Sequence, residues 1–244
     1  MNALEVKGLC KTYASFALQD VSFYVEEGSI TGFLGRNGAG KSTVLKCIAG
    51  LVHPNGGEIR IFGKPAHDTG ARESLGVMFG GMEIYPYKRI GQIRRVYAAF
   101  WRDWDEGEYR RLAAQFCLDE GKRFRELSNG MKTKFLLALA CSHGAGLLIL
   151  DEPTSGLDPV SRAEIITFLR GFVREKRRAV FFSTQIVSDL EQCADHIVYI
   201  RGGKIVRADE TRSYLNDCTN FQGTMSALEA YFLKEEGFCE ESSV

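Results

Sequence analysis

The sequence has no apolar run long enough to span a bilayer. Its longest stretch without a charge is residues 135–150, interrupted by Ser142, His143, Gly144 and Gly146. A membrane-crossing helix needs roughly 20 apolar residues. Nor is there an excess of charge of either sign. The 244 residues hold 31 Lys and Arg against 31 Asp and Glu, so no global field draws the surface toward nucleic acid or anionic lipid. The first residues, M-N-A-L-E-V-K, lack the apolar core of a secretory signal, and the expected compartment is the cytoplasm. Cysteine pairs are missing too. Cys10, Cys47, Cys117, Cys141, Cys193, Cys218 and Cys239 form no C-x-x-C, which reads as free, mostly buried thiols in a reducing compartment. No two candidate ligands have zinc-finger spacing.

What remains is an ordinary globular composition, 45% apolar and 25% charged, in a chain long enough to bury a sizeable core. Strand-like apolar runs occur at residues 4–6, 21–25, 30–34, 58–62, 75–79, 147–150, 179–183, 196–200 and 204–207. Several are apolar throughout, as in a parallel sheet covered on both faces. Helix-like patterns occupy 41–49, 90–101, 107–116, 131–142 and 160–175. This alternation predicts an α/β fold with a mainly parallel sheet, in which the strands up to Phe62 form an antiparallel part. Residues 82 to about 125 read as a helical insert. A final segment, 226–234, places Leu228, Tyr231 and Phe232 on one helical face.

One segment carries recognisable chemistry. Directly after the 30–34 strand come Gly35, Arg36, Asn37, Gly38, Ala39, Gly40, Lys41, Ser42 and Thr43. This is G-x-x-x-x-G-K-[ST] between a strand and a helix. Its glycines let successive N–H groups turn inward as an anion nest, and the helix beginning at Lys41 points its positive end at the phosphates. Lys41 reaches the β- and γ-phosphates, and the Ser42 hydroxyl suits Mg²⁺. Residues 147–150 then deliver Asp151 and Glu152 at the end of an apolar strand. Asp151 suits the Mg²⁺ shell, and Glu152 suits a general base acting on water.

Three more segments resemble one family. Leu127, Ser128, Asn129, Gly130 and Met131 resemble the LSGGQ signature of ABC ATPases. Pro153, Thr154, Ser155, Gly156, Leu157, Asp158 and Pro159 are similar to that family's D-loop. Lys11, Thr12 and Tyr13 resemble its A-loop, whose aromatic ring stacks on adenine. The resemblance spans nearly the whole chain in the family's order.

It implies a P-loop NTPase of the ABC type: a nucleotide-binding core with an antiparallel β-subdomain at about 1–81 and 131–208, a helical subdomain at about 82–130, and a helical tail at 209–244. It implies ATP and Mg²⁺ as cofactors. The expected partners are a second ABC ATPase subunit, identical or a close paralogue, and a multi-span membrane subunit, with no nucleic acid. The expected place is the inner face of the cell membrane. Two subunits would close head to tail on ATP, with Ser128 and the Gly130 backbone donating to the γ-phosphate from across the interface, aided by the N-terminus of a helix starting near Met131. Asp158, in the segment that resembles the D-loop, is expected among the nucleotide-binding residues.

The sequence departs from the pattern at three places. Gln185 stands where the family has a switch histidine. An amide hydrogen-bonds phosphate but takes up no proton, so binding is expected to survive and turnover to slow. His196 lies in a stretch that reads as the start of a strand. Gly80 stands where a glutamine is usual, with Glu83 as a substitute or an ordinary loop acid. Met131 ends the signature in place of glutamine. An ATP-binding half with little or no hydrolysis is therefore the rival to an active ATPase.

The aromatic residues Tyr85, Tyr87, Tyr97, Phe100, Trp101 and Trp104 read either as core or as a groove for a helix of the membrane subunit. Lys88, Arg89, Arg94 and Arg95 read as a solvated face or a contact with that partner, and Arg174, Lys176, Arg177 and Arg178 as a solvated helix end. One cassette without long insertions, F-W-R-D-W-D and the L-E-A-Y-F-L tail resemble the ATPases of bacterial ABC-2-type exporters of peptides, antibiotics or other amphipathic substrates.

Overall fold

The computed structural model of the chain describes residues 1–82, 84–175, 177–216 and 226–237. Glu83, Lys176, Cys218 and Cys239 lie outside the described residues. Two sheets form the frame. In the first, β1 (Asn2–Thr12), β2 (Ala17–Glu26), β4 (Gly56–Ile61) and β5 (Lys64–Pro65) pair antiparallel in the order β2-β1-β4-β5. Along β2, buried Leu18, Val21, Phe23 and Val25 stand among exposed neighbours, the pattern of a sheet with one dry face.

The second sheet runs β10 (Lys204–Glu210), β9 (His196–Arg201), β3 (Ile30–Leu34), β8 (Ala179–Thr184), β7 (Leu147–Asp151) and β6 (Leu75–Met78). Its pairings are parallel except for the β9–β10 hairpin. Every residue of β3 and β8 is buried, so their apolar runs have no polar face. Alternate side chains of one strand enter different cores. Leu147, Ile149 and Phe181 join Phe23 and Phe33 under the antiparallel sheet. Leu148, Leu150 and Phe182 join the core on the opposite face.

Helix α1 (Lys41–Ile48) follows β3. After the short α2 (Thr69–Glu73), the chain between β6 and β7 carries α3 (Ile90–Ala98), α4 (Glu106–Gln115), a 3₁₀ turn at Phe124–Glu126 and α5 (Asn129–Cys141). Helix α6 (Pro159–Phe172) joins β7 to β8, and α7 (Val187–Cys193) joins β8 to β9. Helices α8 (Thr211–Asn216) and α9 (Ala227–Glu235) end the described chain. On α9, Leu228 and Phe232 are buried and Phe232 packs edge-on against Tyr199.

The α/β class and the mainly parallel sheet are as the sequence reads. Of the strands up to Phe62, β1, β2 and β4 pair antiparallel as expected, but β3 pairs parallel with β8 and β9 and lies at the centre of the second sheet. Several boundaries differ; β1 runs Asn2–Thr12 against an expected 4–6, and α6 ends at Phe172 rather than at 175. Helix α5 begins at Asn129 rather than near Met131, because the Ser128 hydroxyl caps it by accepting the Met131 N–H at 3.2 Å. Helix α3 stops at Ala98, three residues early. Strand β10 continues to Glu210, into the segment expected as tail.

The six aromatic residues divide. Tyr97, Trp101 and Trp104 pack together, with Trp101 stacked 3.7 Å from the buried His143 ring. Tyr85, Tyr87 and Phe100 are exposed. Arg94 is engaged by Glu106 and Glu120, and Arg178 lies over the Phe172 ring. Among the described residues no helix is long and apolar enough to cross a membrane.

Candidate functional site

In the order β3-β8-β7-β6, four parallel neighbours end on one edge of the sheet. The loops leaving that edge carry Gly35, Gln185, Glu152 and Gly80 respectively. Ligands of open α/β sheets bind beyond the carboxyl ends of the strands, so the strand order alone gathers residues far apart in the chain.

The loop after β3 wraps around its lysine. Lys41 is 5% exposed, and its Nζ donates to the Gly35 carbonyl at 2.6 Å and to the Arg36 carbonyl at 3.3 Å. The Glu152 Oε1 lies 3.9 Å away. Burial pushes the Lys41 ammonium below the ordinary lysine range, and the nearby Glu152 and Asp151 carboxylates partly restore it. Gly40 precedes the helix with φ of 110°, and a Cβ there would stand 2.7 Å from both the Phe16 ring and Leu18. Glycine is thus required by backbone conformation and by space. Ser42 is exposed at the start of α1, beside the N–H groups that the helix leaves without partners.

The second wall comes from β7. Ser183 Oγ, on neighbouring β8, donates to Asp151 Oδ1 at 2.5 Å. The Glu152 N–H donates to the Ser183 carbonyl at 3.1 Å and lies 3.0 Å from its Oγ. These bonds hold Glu152 at φ of 49°. That left-handed conformation costs a non-glycine residue about 1–2 kcal/mol, and such strain gathers at sites where a side chain must be aimed. A cavity of about 400 Å³ lies between the walls, lined by Ser15, Phe16, the phosphate loop, Ser42, Thr43 and Glu152.

The cavity fits a nucleoside triphosphate bound through its phosphates: glycine-exposed N–H groups, a helix N-terminus, one lysine, and a hydroxyl and a carboxylate. Ser42 and Asp151 suit Mg²⁺, which takes one or two protein oxygens and completes its shell with phosphate and water. A dedicated protein cage is not needed, and the described residues contain no His/Cys/Asp/Glu cluster able to form one.

Other sequence-derived residues lie elsewhere. Tyr13 is 44% exposed with Lys11 Nζ 5.5 Å from its ring, and Phe16 is the aromatic residue lining the cleft. The sequence signal, an aromatic residue in the β1–β2 turn, fits both. Ser128 caps α5, and Gly130 is buried where a Cβ would meet Ser161 Oγ at 2.5 Å. Asp158 caps α6 by accepting from Val160, from the Ser161 N–H and from the Ser161 hydroxyl; the hydroxyl bond holds its carboxyl below its ordinary range. These three residues do not line the phosphate cleft.

Gln185 is exposed and lines another cavity, of about 480 Å³, with Gly35, Arg36, Asn37, Tyr199 and Glu236. There Glu236 lies 3.6 Å from Arg36 and accepts from the Tyr199 hydroxyl at 2.5 Å. Gly80 opens into a third cavity, of about 440 Å³, shared with Asn129, Lys132, Asp151 and Glu152. A Cβ at residue 80 would stand 3.3 Å from the Asp151 carbonyl oxygen. Ser183 and Asp189, both buried, were not singled out by sequence reasoning, because their partners are 32 and 35 residues away.

Comparison with known proteins identifies the family. The sequence pattern of the ABC transporter family matches residues 18–155. An uncharacterized ABC transporter ATP-binding protein of Bacillus subtilis (strain 168), YxlF, is 32% identical over 253 aligned positions, covering 98% of this chain and 80% of its own. The bacitracin transport ATP-binding protein BcrA of Bacillus licheniformis is 31% identical over 225 positions, covering 83% of this chain and 68% of its own. The solved structure of an ATP-binding subunit of an ABC transporter superposes with a TM-score of 0.83 at 27% identity, covering 95% of this chain and 98% of that one.

Proposed function

This chain belongs to the ABC transporter family of ATP-binding proteins, and from that premise we propose that it binds and hydrolyses ATP as a dimer and drives a separate membrane subunit. The observation that carries the reading is the joint lining of one cleft by Lys41, Ser42 and Glu152, with Glu152 Oε1 3.9 Å from Lys41 Nζ.

Lys41 exchanges its loop carbonyls for phosphate oxygens, and the phosphate-loop N–H groups close on the same charge. Ser42 and Asp151 would hold Mg²⁺ brought with the nucleotide, which would supply positive charge to the phosphates. Glu152 accepts the proton of the attacking water. Gln185 donates its amide N–H toward the γ-phosphate but leaves the proton where it is. Across the interface, Ser128 and the Gly130 backbone of a second subunit, identical or a close paralogue, complete the γ-phosphate shell, with Asp158 shaping the adjoining loop. The Ser128 oxygen already accepts the Met131 N–H, which leaves its O–H free to donate. Contacts present only with ATP favour the closed dimer, and their loss opens it.

The membrane subunit selects the substrate. Export of peptides, antibiotics or other amphipathic compounds is supported by the similarity to a bacitracin transport ATP-binding protein. The subunit then sits at the cytoplasmic face of the membrane, held there by its partner rather than by lipid.

A second reading is favoured by Gly80 and Gln185. With no side chain at Gly80 to reach the metal and no proton-accepting switch residue, the chain binds ATP and turns over slowly beside a more active partner. Steady-state ATPase measurements separate the two. The expected result is measurable turnover in the native protein, its loss in Glu152→Gln, and a rise in Gln185→His. No turnover in either the native protein or Gln185→His favours the second reading.

A further inference from the structure

Asp189 is fully buried, and a carboxylate taken from water needs partners. Its partners come from segments distant in sequence. The Thr154 hydroxyl donates to Oδ2 at 2.5 Å, and Arg162 Nε donates to Oδ1 at 2.5 Å. Arg162 Nη2 also donates to the Ser188 hydroxyl at 2.6 Å. On the other side, Thr184 Oγ1, 3.5 Å from Oδ2, accepts the Ile186 N–H at 2.9 Å. Thr154 lies two residues after Glu152. Arg162 lies in the helix that Asp158 caps, and Asp189 lies four residues after Gln185. One carboxylate thus ties the loop leaving β7 to the turn leaving β8.

A buried ion pair is a poor source of stability, since apolar side chains of similar volume often serve as well or better. What it supplies is geometry. We propose that Asp189 is a positioning residue which, through Thr154 and Arg162, holds the Glu152 loop and the Gln185 turn in fixed register, so that a displacement of one is felt by the other. It does not touch the nucleotide. The consequence for turnover rests on the ATPase reading above; the coupling between the two segments does not.

Thr154→Val tests it, because it removes one hydroxyl, keeps the shape and leaves the Arg162–Asp189 pair intact. Amide exchange is measured on the nucleotide-free protein, with Thr154→Ser as the variant that retains the hydroxyl. The Ile186 and Asp189 amides lie across the gap and bond to Thr184 Oγ1 and the Ile186 carbonyl. They are expected to exchange at least about fivefold faster in Thr154→Val, with β7 and β8 unchanged and near-native rates in Thr154→Ser. Acceleration confined to the Ser155 and Leu157 amides, none at all, or general acceleration throughout the sheet would overturn the proposal.

In turnover, kcat is expected to fall about tenfold with the KM for Mg-ATP within about twofold, both recovering in Thr154→Ser. An unchanged kcat beside an active native protein contradicts the proposal. A native protein that fails to bind ATP contradicts the ATPase reading instead, and the exchange result still decides the coupling.

Discussion

At the scale of single residues, Lys41 is the group on which the site turns. A buried ammonium satisfied by two carbonyls of its own loop is ready to exchange them for phosphate oxygens, which carry full charge. His143 is a second buried base, with a different consequence. Its Nε2 faces the Leu75 carbonyl at 2.9 Å, and its ring stacks on Trp101. Burial holds its pKa below the ordinary 6.5. The unfolded imidazole therefore takes up a proton as pH falls through about 6.5, while the native one resists. Its contribution to stability is complete above that value and lost as pH falls toward the depressed native pKa. The urea midpoint is expected to drop between about pH 7.5 and pH 5.5, and His143→Gln, which keeps a donor toward Leu75, is expected to flatten that dependence. An unaltered slope in the variant would contradict the assignment.

The phosphate loop was legible in the sequence because its chemistry is local: nine consecutive residues, Gly35 to Thr43, supply the glycines, the lysine and the hydroxyls. Phe16, Ser183 and Asp189 were not, because each acts through a partner brought near only by sheet order or by a turn.

At the scale of elements, capping decides where the functional helices begin. Ser128 starts α5, Asp158 starts α6 and Ser226 starts α9, each accepting backbone N–H groups of the first turn. The α5 and α6 starts meet at Gly130 and Ser161. A Cβ at residue 130 would lie 2.8 Å from Ser161 Cβ as well as 2.5 Å from its Oγ, so neither side can yield by rotating a flexible chain. Gly130→Ala is expected to destabilise the protein by about 1–3 kcal/mol, a fall of several degrees in Tm by thermal melting. Ser161→Gly in the same chain is expected to recover part of it. No change in Tm would mean that the two helices are not held at this contact.

The long apolar strands were readable because burial on both faces removes the polar alternation, and 30–34 matches β3 residue for residue. Helices α2, α7 and α8 have five to seven residues. Over so few positions a helical period barely repeats, and such segments form because the surrounding structure holds them.

At the scale of the whole molecule, function follows from the order of strands along one sheet edge. That order places the phosphate loop, the Gln185 turn, the Asp151 and Glu152 pair and Gly80 side by side. It leaves Ser128, Gly130 and Asp158 outside the cleft, as their proposed use by a second subunit requires. The net charge is zero, and among the described residues no helix is long and apolar enough to cross a membrane.

All of this depends on the cleft taking a triphosphate through Lys41. Isothermal titration calorimetry of purified protein with Mg-ATP measures it most directly. Saturable binding is expected in the native chain, weakened by about a hundredfold or more in Lys41→Ala, where the charge-assisted phosphate contacts are gone. Absence of binding in the native chain, or equal affinity in Lys41→Ala, would contradict the site described.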